Sequence, residues 1–142
     1  MFVLDSNILV AGLFSRRGAS FWLLERAIDG RLPVAVSVAL ALEYEDVLFR
    51  KDIRVQSWAG PEEIDAVLDA LLAEAKLVQP IRSTLRPALP DASDDMVLEC
   101  TVEAGASAIV TMNTRDLLAA AAFGIDVLKP GAVVAALKER EA

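Results

Sequence analysis

The sequence contains no histidine and only one cysteine, Cys100. Without histidine, Ser-His-Asp triads, Cys-His pairs, histidine-based RNA cleavage and most zinc sites are excluded, because each needs an imidazole as base or ligand. A lone cysteine makes no internal disulfide, which fits a reducing cytoplasm. No apolar run approaches the roughly 20 residues that a membrane-spanning helix needs. Met1-Phe2-Val3-Leu4-Asp5 lacks the basic region and small-residue cleavage pattern of a secretory leader. The expectation is a cytoplasmic protein with no membrane partner. Basic residues are scarce too: 14 Lys and Arg against 21 Asp and Glu leave a formal charge of −7. Phosphate contacts usually demand a basic surface, so a simple electrostatic nucleic-acid binder is disfavoured. An acidic pocket neutralised by a divalent cation is not. Chemistry here must come from carboxylates, hydroxyls, lysines or a bound metal.

With 142 residues, 55% of them hydrophobic and 25% charged, the chain fits one globular domain, 1–142, with a real core. It shows no repeat, low-complexity tract or long linker. Short apolar runs at 2–4, 33–36, 77–78, 108–110 and 126–128 predict buried strands. Helical patterns predict helices over 19–29, from Ser37 as N-cap to about Arg50, from about Pro61, over 93–103 and over 114–122, with a last one opened by Pro130. The clearest begins near Pro61, where Ile64, Val67, Leu68, Leu71, Leu72 and Ala75 form a stripe opposite Glu62, Glu63, Asp65 and Asp69. A Pro-marked loop is expected over 80–90. Strands alternating with helices imply an α/β fold whose central parallel sheet is covered on both faces. Ligands of such sheets bind at the carboxyl ends of the strands.

Acidic residues fall at that edge. Asp5 follows the first strand directly, as a site carboxylate or as a turn or cap residue. Glu43 lies three residues after Leu40 and four before Val47, against the apolar stripe of Leu40, Tyr44, Val47 and Leu48. A carboxylate there needs a cation or hydrogen-bond donors, unless it edges the stripe into solvent or pairs with an arginine. Asp94 and Asp95 occupy the first turn of a helix, where acids also complement the helix dipole; Asp91 adds a third just before. Asn113 and Asp116 follow the fourth strand, either completing the site or forming a capping arrangement. Oxygen ligands without histidine or cysteine select Mg²⁺ or Mn²⁺. Such ions lower the pKa of a coordinated water and neutralise charge on a phosphodiester under attack.

Val3-Leu4-Asp5-Ser6-Asn7, the segment from Leu42 to Leu48, the junction from Asp91 to Glu99, and the segment from Ile109 to Leu117 together resemble the PIN-domain family. The nearest branch is the VapC-like toxins of bacterial toxin–antitoxin systems. The resemblance runs in order from about Phe2 to Leu137. It implies a three-layer α/β/α sandwich, a Mg²⁺- or Mn²⁺-dependent endoribonuclease with RNA as substrate, a cognate antitoxin and a homodimer. By position, Asp5 and Asp95 match the two principal metal-binding acids, and Glu43 the acid on the helix after the second strand. Asn113 falls where many members carry aspartate, and Asp116 matches the acid a little further on. The resemblance therefore implies Asp5, Glu43, Asp95, Asn113 and Asp116 as catalytic; Asp5, Asp95 and Glu43 are the expected metal ligands, and Asp94, read from its place in the helix's first turn, is expected to add to them. In two places the chain departs from the pattern: Asn113 is neutral, and Asp91-Ala92-Ser93 stands where this branch commonly reads Asp-Pro-Asp. Both favour one bound ion over two.

The tight basic clusters are Arg16-Arg17 and the group of Arg50, Lys51 and Arg54, which either guide RNA phosphates or form a solvated surface. Trp22 is expected in core or interface, Trp58 and Phe49 over the core or at a partner, and Cys100 in packing. A second possibility is a catalytically inactive PIN-like module that binds RNA or protein. A haloacid-dehalogenase-like phosphatase is disfavoured, because Asn7 holds the place of its second aspartate. A signalling receiver domain is disfavoured because Asp94 and Asp95 come late in the chain.

Overall fold

A computed structural model describes residues 1–79 and 92–141. The 80–90 loop and Asp91 lie outside the described residues. Five three-residue strands form the centre: β1 (Phe2–Leu4), β2 (Ala35–Ser37), β3 (Lys76–Val78), β4 (Ala108–Val110) and β5 (Asp126–Leu128). β1 pairs with β4 and β4 with β5, while β2 pairs with β3, all in parallel. A parallel bridge between Phe2 and Val34, beside a 2.9 Å bond from Phe2 N–H to Pro33 C=O, joins the two groups. The resulting order is β3-β2-β1-β4-β5, and all five strands present their carboxyl ends to one edge. β1 and β4 are apolar and β2 is apolar up to Ser37, and all but half-buried Phe2 are buried, as suits strands covered on both faces, whereas Lys76 and Leu77 are exposed on edge strand β3.

The helices are α1 (Ser6–Phe14), α2 (Ala19–Ile28), α3 (Val38–Leu48), α4 (Lys51–Gln56), α5 (Pro61–Glu74), α6 (Ala92–Ala104) and α7 (Pro130–Glu141), in an α/β/α architecture. α6 packs on β1, β2, β3 and β4; α1, α2, α3 and α5 pack among themselves, and α7 against α2. The α5 stripe turns inward as its spacing predicts, with Ile64, Leu68 and Leu71 buried. Each such side chain contributes roughly 1.5–3 kcal/mol.

Two helices have no clear mark in the sequence. α1 reads Ser-Asn-Ile-Leu-Val-Ala-Gly-Leu-Phe, with too few polar residues to reveal a period, yet it buries Ile8, Leu9, Gly12 and Leu13. Gly12 lets α2 approach closely, since a Cβ there would stand 3.1 Å from the Leu24 side chain and 3.5 Å from the Phe21 backbone. α4 is six residues long and buries none of them, so no stripe exists to be read. The expected helix over 114–122 is instead a 3-10 segment, Thr114–Phe123, broken at Leu117 (φ −116°, ψ 17°) and closed by Gly124 in the left-handed region. Ser37 ends β2 and caps α3 as expected, accepting from Leu40 N–H at 3.1 Å.

Candidate active site at the carboxyl edge of the sheet

Asp5 stands at the N-cap position of α1, but its side chain makes no cap bond there. Its Oδ2 instead accepts from the Thr111 hydroxyl at 2.8 Å and from Asn7 Nδ2 at 3.3 Å. Two donors on one oxygen orient the carboxylate, and its side chain does not cap α1. β1 and β4 are neighbours in parallel register, so the residues just past Leu4 and Val110 emerge side by side. Asp5 N–H in turn bonds Val110 C=O at 2.9 Å.

The contacts continue along the edge. Asn7 Oδ1 accepts from Met112 N–H at 3.2 Å, and Thr111 Oγ1 accepts from Asn113 N–H at 3.1 Å. Thr111 is fully buried, and its own N–H bonds Leu128 C=O at 2.9 Å. One polar network thus spans the ends of β1, β4 and β5. Thr111 and Asn7, the residues that position Asp5, were missed as site residues in the sequence. Their polarity directly after strand ends was the available signal.

Tyr44 of α3 supports the same corner from beneath. Its side chain is fully buried, and its hydroxyl donates to the Leu4 carbonyl, the last of β1. Burial, the Cys100 thiol and the Asp5 carboxylate all push the phenol's pKa well above its usual value, burial most. Burial also raises the Cys100 thiol to about 11, against partial relief from hydrogen bonding with Ser37.

Asp95, in the first turn of α6, is only 3% exposed, whereas its neighbour Asp94 is half-buried. A dipole-complementing acid needs no such depth, so burial of Asp95 favours the site reading. Glu99, one turn further on, is also buried. Glu43 is half-buried beside the stripe of Leu40, Tyr44, Val47 and Leu48, and its charge is felt by Arg50.

Asn113 does not cap the following segment with its side chain; Asp116 N–H bonds the Asn113 backbone carbonyl at 3.2 Å. That corrects the capping reading. Both residues line a hollow of about 360 Å³ with Met112, Thr114, Arg115 and Lys129.

The candidate RNA-guiding cations lie elsewhere. α3 is 11 residues long and leaves the carboxyl edge at Ser37, running roughly 16 Å at 1.5 Å per residue. Arg50, Lys51 and Arg54 follow at its far end, with Arg50 paired to Asp46 at 2.8 Å. Arg16 stacks on Trp58, 4.1 Å from the ring centroid, and Arg17 is exposed beside it. Trp58 also donates from Nε1 to the Gly12 carbonyl at 2.9 Å, which ties the turn after α4 to α1. Trp22 lies between α2 and α7 under the Arg26 guanidinium, 3.4 Å from its centroid.

Among the described residues, no three acidic or cysteine side chains are gathered into a ready-made cage for an ion. The expected core of Asp5, Glu43 and Asp95 is therefore not preassembled. Mg²⁺ and Mn²⁺ remain compatible with the donors present, because Mg²⁺ is commonly held by one or two carboxylates and completes its shell with water and substrate oxygens.

No curated protein matches the sequence. Among solved structures, FitAB bound to the IR36 DNA fragment is similar at a TM-score of 0.58 and 17% identity, over 92% of this chain and 95% of that one. VapBC2 from Rickettsia felis, bound to a DNA fragment from its promoter, is similar at a TM-score of 0.55 and 15% identity, over 90% of this chain and 97% of that one. At these identities the likeness shows the fold. The PIN-domain family model matches residues 1–115, from β1 through β4 and the Asn113 corner. With the Asp5 motif, buried Asp95 and Thr111 inside that match, the chain belongs to the PIN-domain family.

Proposed function

We propose that this protein is a Mg²⁺- or Mn²⁺-dependent endoribonuclease and the toxin of a type II toxin–antitoxin pair. The observation that carries the reading is the treatment of Asp5. Its carboxylate sits where a helix cap would be, yet Thr111 and Asn7 hold it at the carboxyl edge of the sheet. Family membership supports nuclease chemistry, since PIN-domain proteins are generally nucleases. Resemblance to FitAB and VapBC2, both toxin–antitoxin assemblies, supports an antitoxin as partner.

Asp5 and Asp95 would hold the ion, with Glu43 and Asp94 adding negative charge nearby. A bound ion there would supply a more acidic water and charge neutralisation at the phosphodiester. The chain's own residues do the positioning. Thr111 and Asn7 fix the rotation of the Asp5 carboxylate, and the Tyr44 hydroxyl anchors the carbonyl before it. Leu4 and Val110, the buried residues just before Asp5 and Thr111, set the two side chains at the same sheet edge.

The test is cleavage of single-stranded RNA with Mn²⁺. Activity lost with EDTA and in both Asp5→Asn and Asp95→Asn supports the reading; metal-independent cleavage, or full activity in both variants, overturns it. Neutral Asn113 and the lack of a preassembled three-acid cluster among the described residues favour one other reading, a PIN module that binds RNA or protein without cleaving. Calorimetry showing no Mg²⁺ or Mn²⁺ binding at millimolar concentration would select it. A homodimer and a cytoplasmic location complete the proposal; sedimentation of the purified chain tests the first.

A further inference from the structure

A protein of charge −7 that presents Asp5 and Asp95 to an anionic polymer repels its substrate unless cations stand beside the acids. Of the sequence clusters, Arg16 stacks on Trp58, Arg50 pairs with Asp46, and Lys51 and Arg54 follow the far end of α3. Two other cations stand at the carboxyl edge itself. Lys129 follows the last residue of β5, and Arg115 lies in the first turn after Asn113. Both are exposed, and neither has an ion pair among the described residues. They line one hollow of about 360 Å³ together with Met112, Asn113, Thr114 and Asp116.

That hollow is tied to the acidic site by backbone. Met112 N–H bonds Asn7, and Asn113 N–H bonds Thr111, the two residues that hold Asp5. Thr111 N–H bonds Leu128 C=O, next to Lys129. The backbone that carries Arg115 and Lys129 is therefore tied by hydrogen bonds to the residues that hold Asp5. Two cations against the single carboxylate of Asp116 make the hollow locally positive, and the amide and hydroxyl of Asn113 and Thr114 add donors for anionic oxygens.

We propose that the Arg115–Lys129 hollow is a phosphate subsite that binds the RNA backbone phosphate adjacent to the one cleaved at Asp5. This rests on the ribonuclease reading, and assigns Asn113 and Asp116 to the wall of a substrate subsite rather than to a second ion. Asn113, neutral where an aspartate would repel phosphate, suits that place.

The test is fluorescence anisotropy of a labelled single-stranded RNA in EDTA, across a salt series, so that binding is measured without cleavage. Arg115→Gln and Lys129→Met should each weaken binding about threefold and reduce the salt slope by about 0.7, the value for one single-strand phosphate contact. Lys138→Met, on α7, is the control and should change neither. Unchanged affinity and slope in the double variant, or no RNA binding by the wild-type chain, overturns the subsite. Wild-type binding that depends on both cations, with no cleavage once Mn²⁺ is restored, would instead overturn the ribonuclease reading and leave the subsite standing.

Discussion

The Thr111 hydroxyl donates a 2.8 Å hydrogen bond to Asp5 Oδ2 across 106 positions of sequence. The bond closes the carboxyl edge between β1 and β4, because the parallel register of these strands brings the residues after Leu4 and Val110 together. It also accounts for the idle cap of α1: a carboxylate turned toward Thr111 is turned away from its own helix.

Replacing that hydroxyl should separate positioning from packing. Thr111→Val keeps the shape and loses the donor. RNA cleavage should drop about tenfold or more and stability should fall by about 1.5–3 kcal/mol, the usual worth of a hydrogen bond to a charged group. Thr111→Ser should restore most of both. Initial rates and urea melts measure the two, and full activity in Thr111→Val would remove Thr111 from the site.

Metal binding should appear in stability before any substrate is added. An ion that binds the folded chain raises its stability by about 1.4 kcal/mol at ten times its dissociation constant. Mn²⁺ should therefore raise the melting temperature of the wild-type protein, and Asp95→Asn should abolish the rise. An equal rise in the variant would show that the ion binds elsewhere.

Alkaline pH should destabilise the fold through Cys100 and Tyr44. Both groups are harder to ionise folded than unfolded, with Cys100 raised from 9.0 to about 11 and Tyr44 raised well above 10.0. Their neutral forms are favoured by the fold, so their stabilising share is complete below pH 9.0 and is lost as pH climbs toward the folded values. Melting temperatures between pH 8 and 11 should be flat at first and then fall. Cys100→Ala should delay the onset toward pH 10, leaving the part due to Tyr44. An onset unmoved by that substitution would count against the Cys100 share.

Gly30 offers a test of backbone strain remote from the site. Its φ is +75°, and a Cβ there would meet Glu74 Oε2 at 2.7 Å, the tip of a movable side chain. Gly30→Ala should cost about 1–2 kcal/mol from the left-handed backbone alone. Glu74→Ala added to it should recover little, as denaturant melts of the single and double variants would show; a large recovery would place the cost in the side-chain clash instead.

Much of the framework can be read directly in the chain. Short apolar runs locate all five strands to within two residues; β1 and β4 are apolar throughout because both their faces are covered, while β3 and β5 each open with an exposed charged residue, Lys76 and Asp126. The α5 stripe is equally legible, since half of that helix meets water. α1 and α4 escape for opposite reasons, one nearly all apolar and the other with nothing buried. The 3-10 form of Thr114–Phe123 escapes because an alanine-rich stretch carries no cue to its break at Leu117.

The sequence by itself determined that any catalysis must do without imidazole and rest on oxygen donors, and it placed Asp5, Asp95 and Asn113 next to strand or helix ends. What only the tertiary structure decided is which polar groups meet. Thr111 and Asn7 hold Asp5, Tyr44 braces the strand before it, and Arg115 and Lys129, rather than the conspicuous basic clusters, stand at the carboxyl edge of the sheet. The reason is physical: periodicity reports which face of an element is buried, whereas strand order and register decide which chain ends share an edge. Sequence separation carries no record of that.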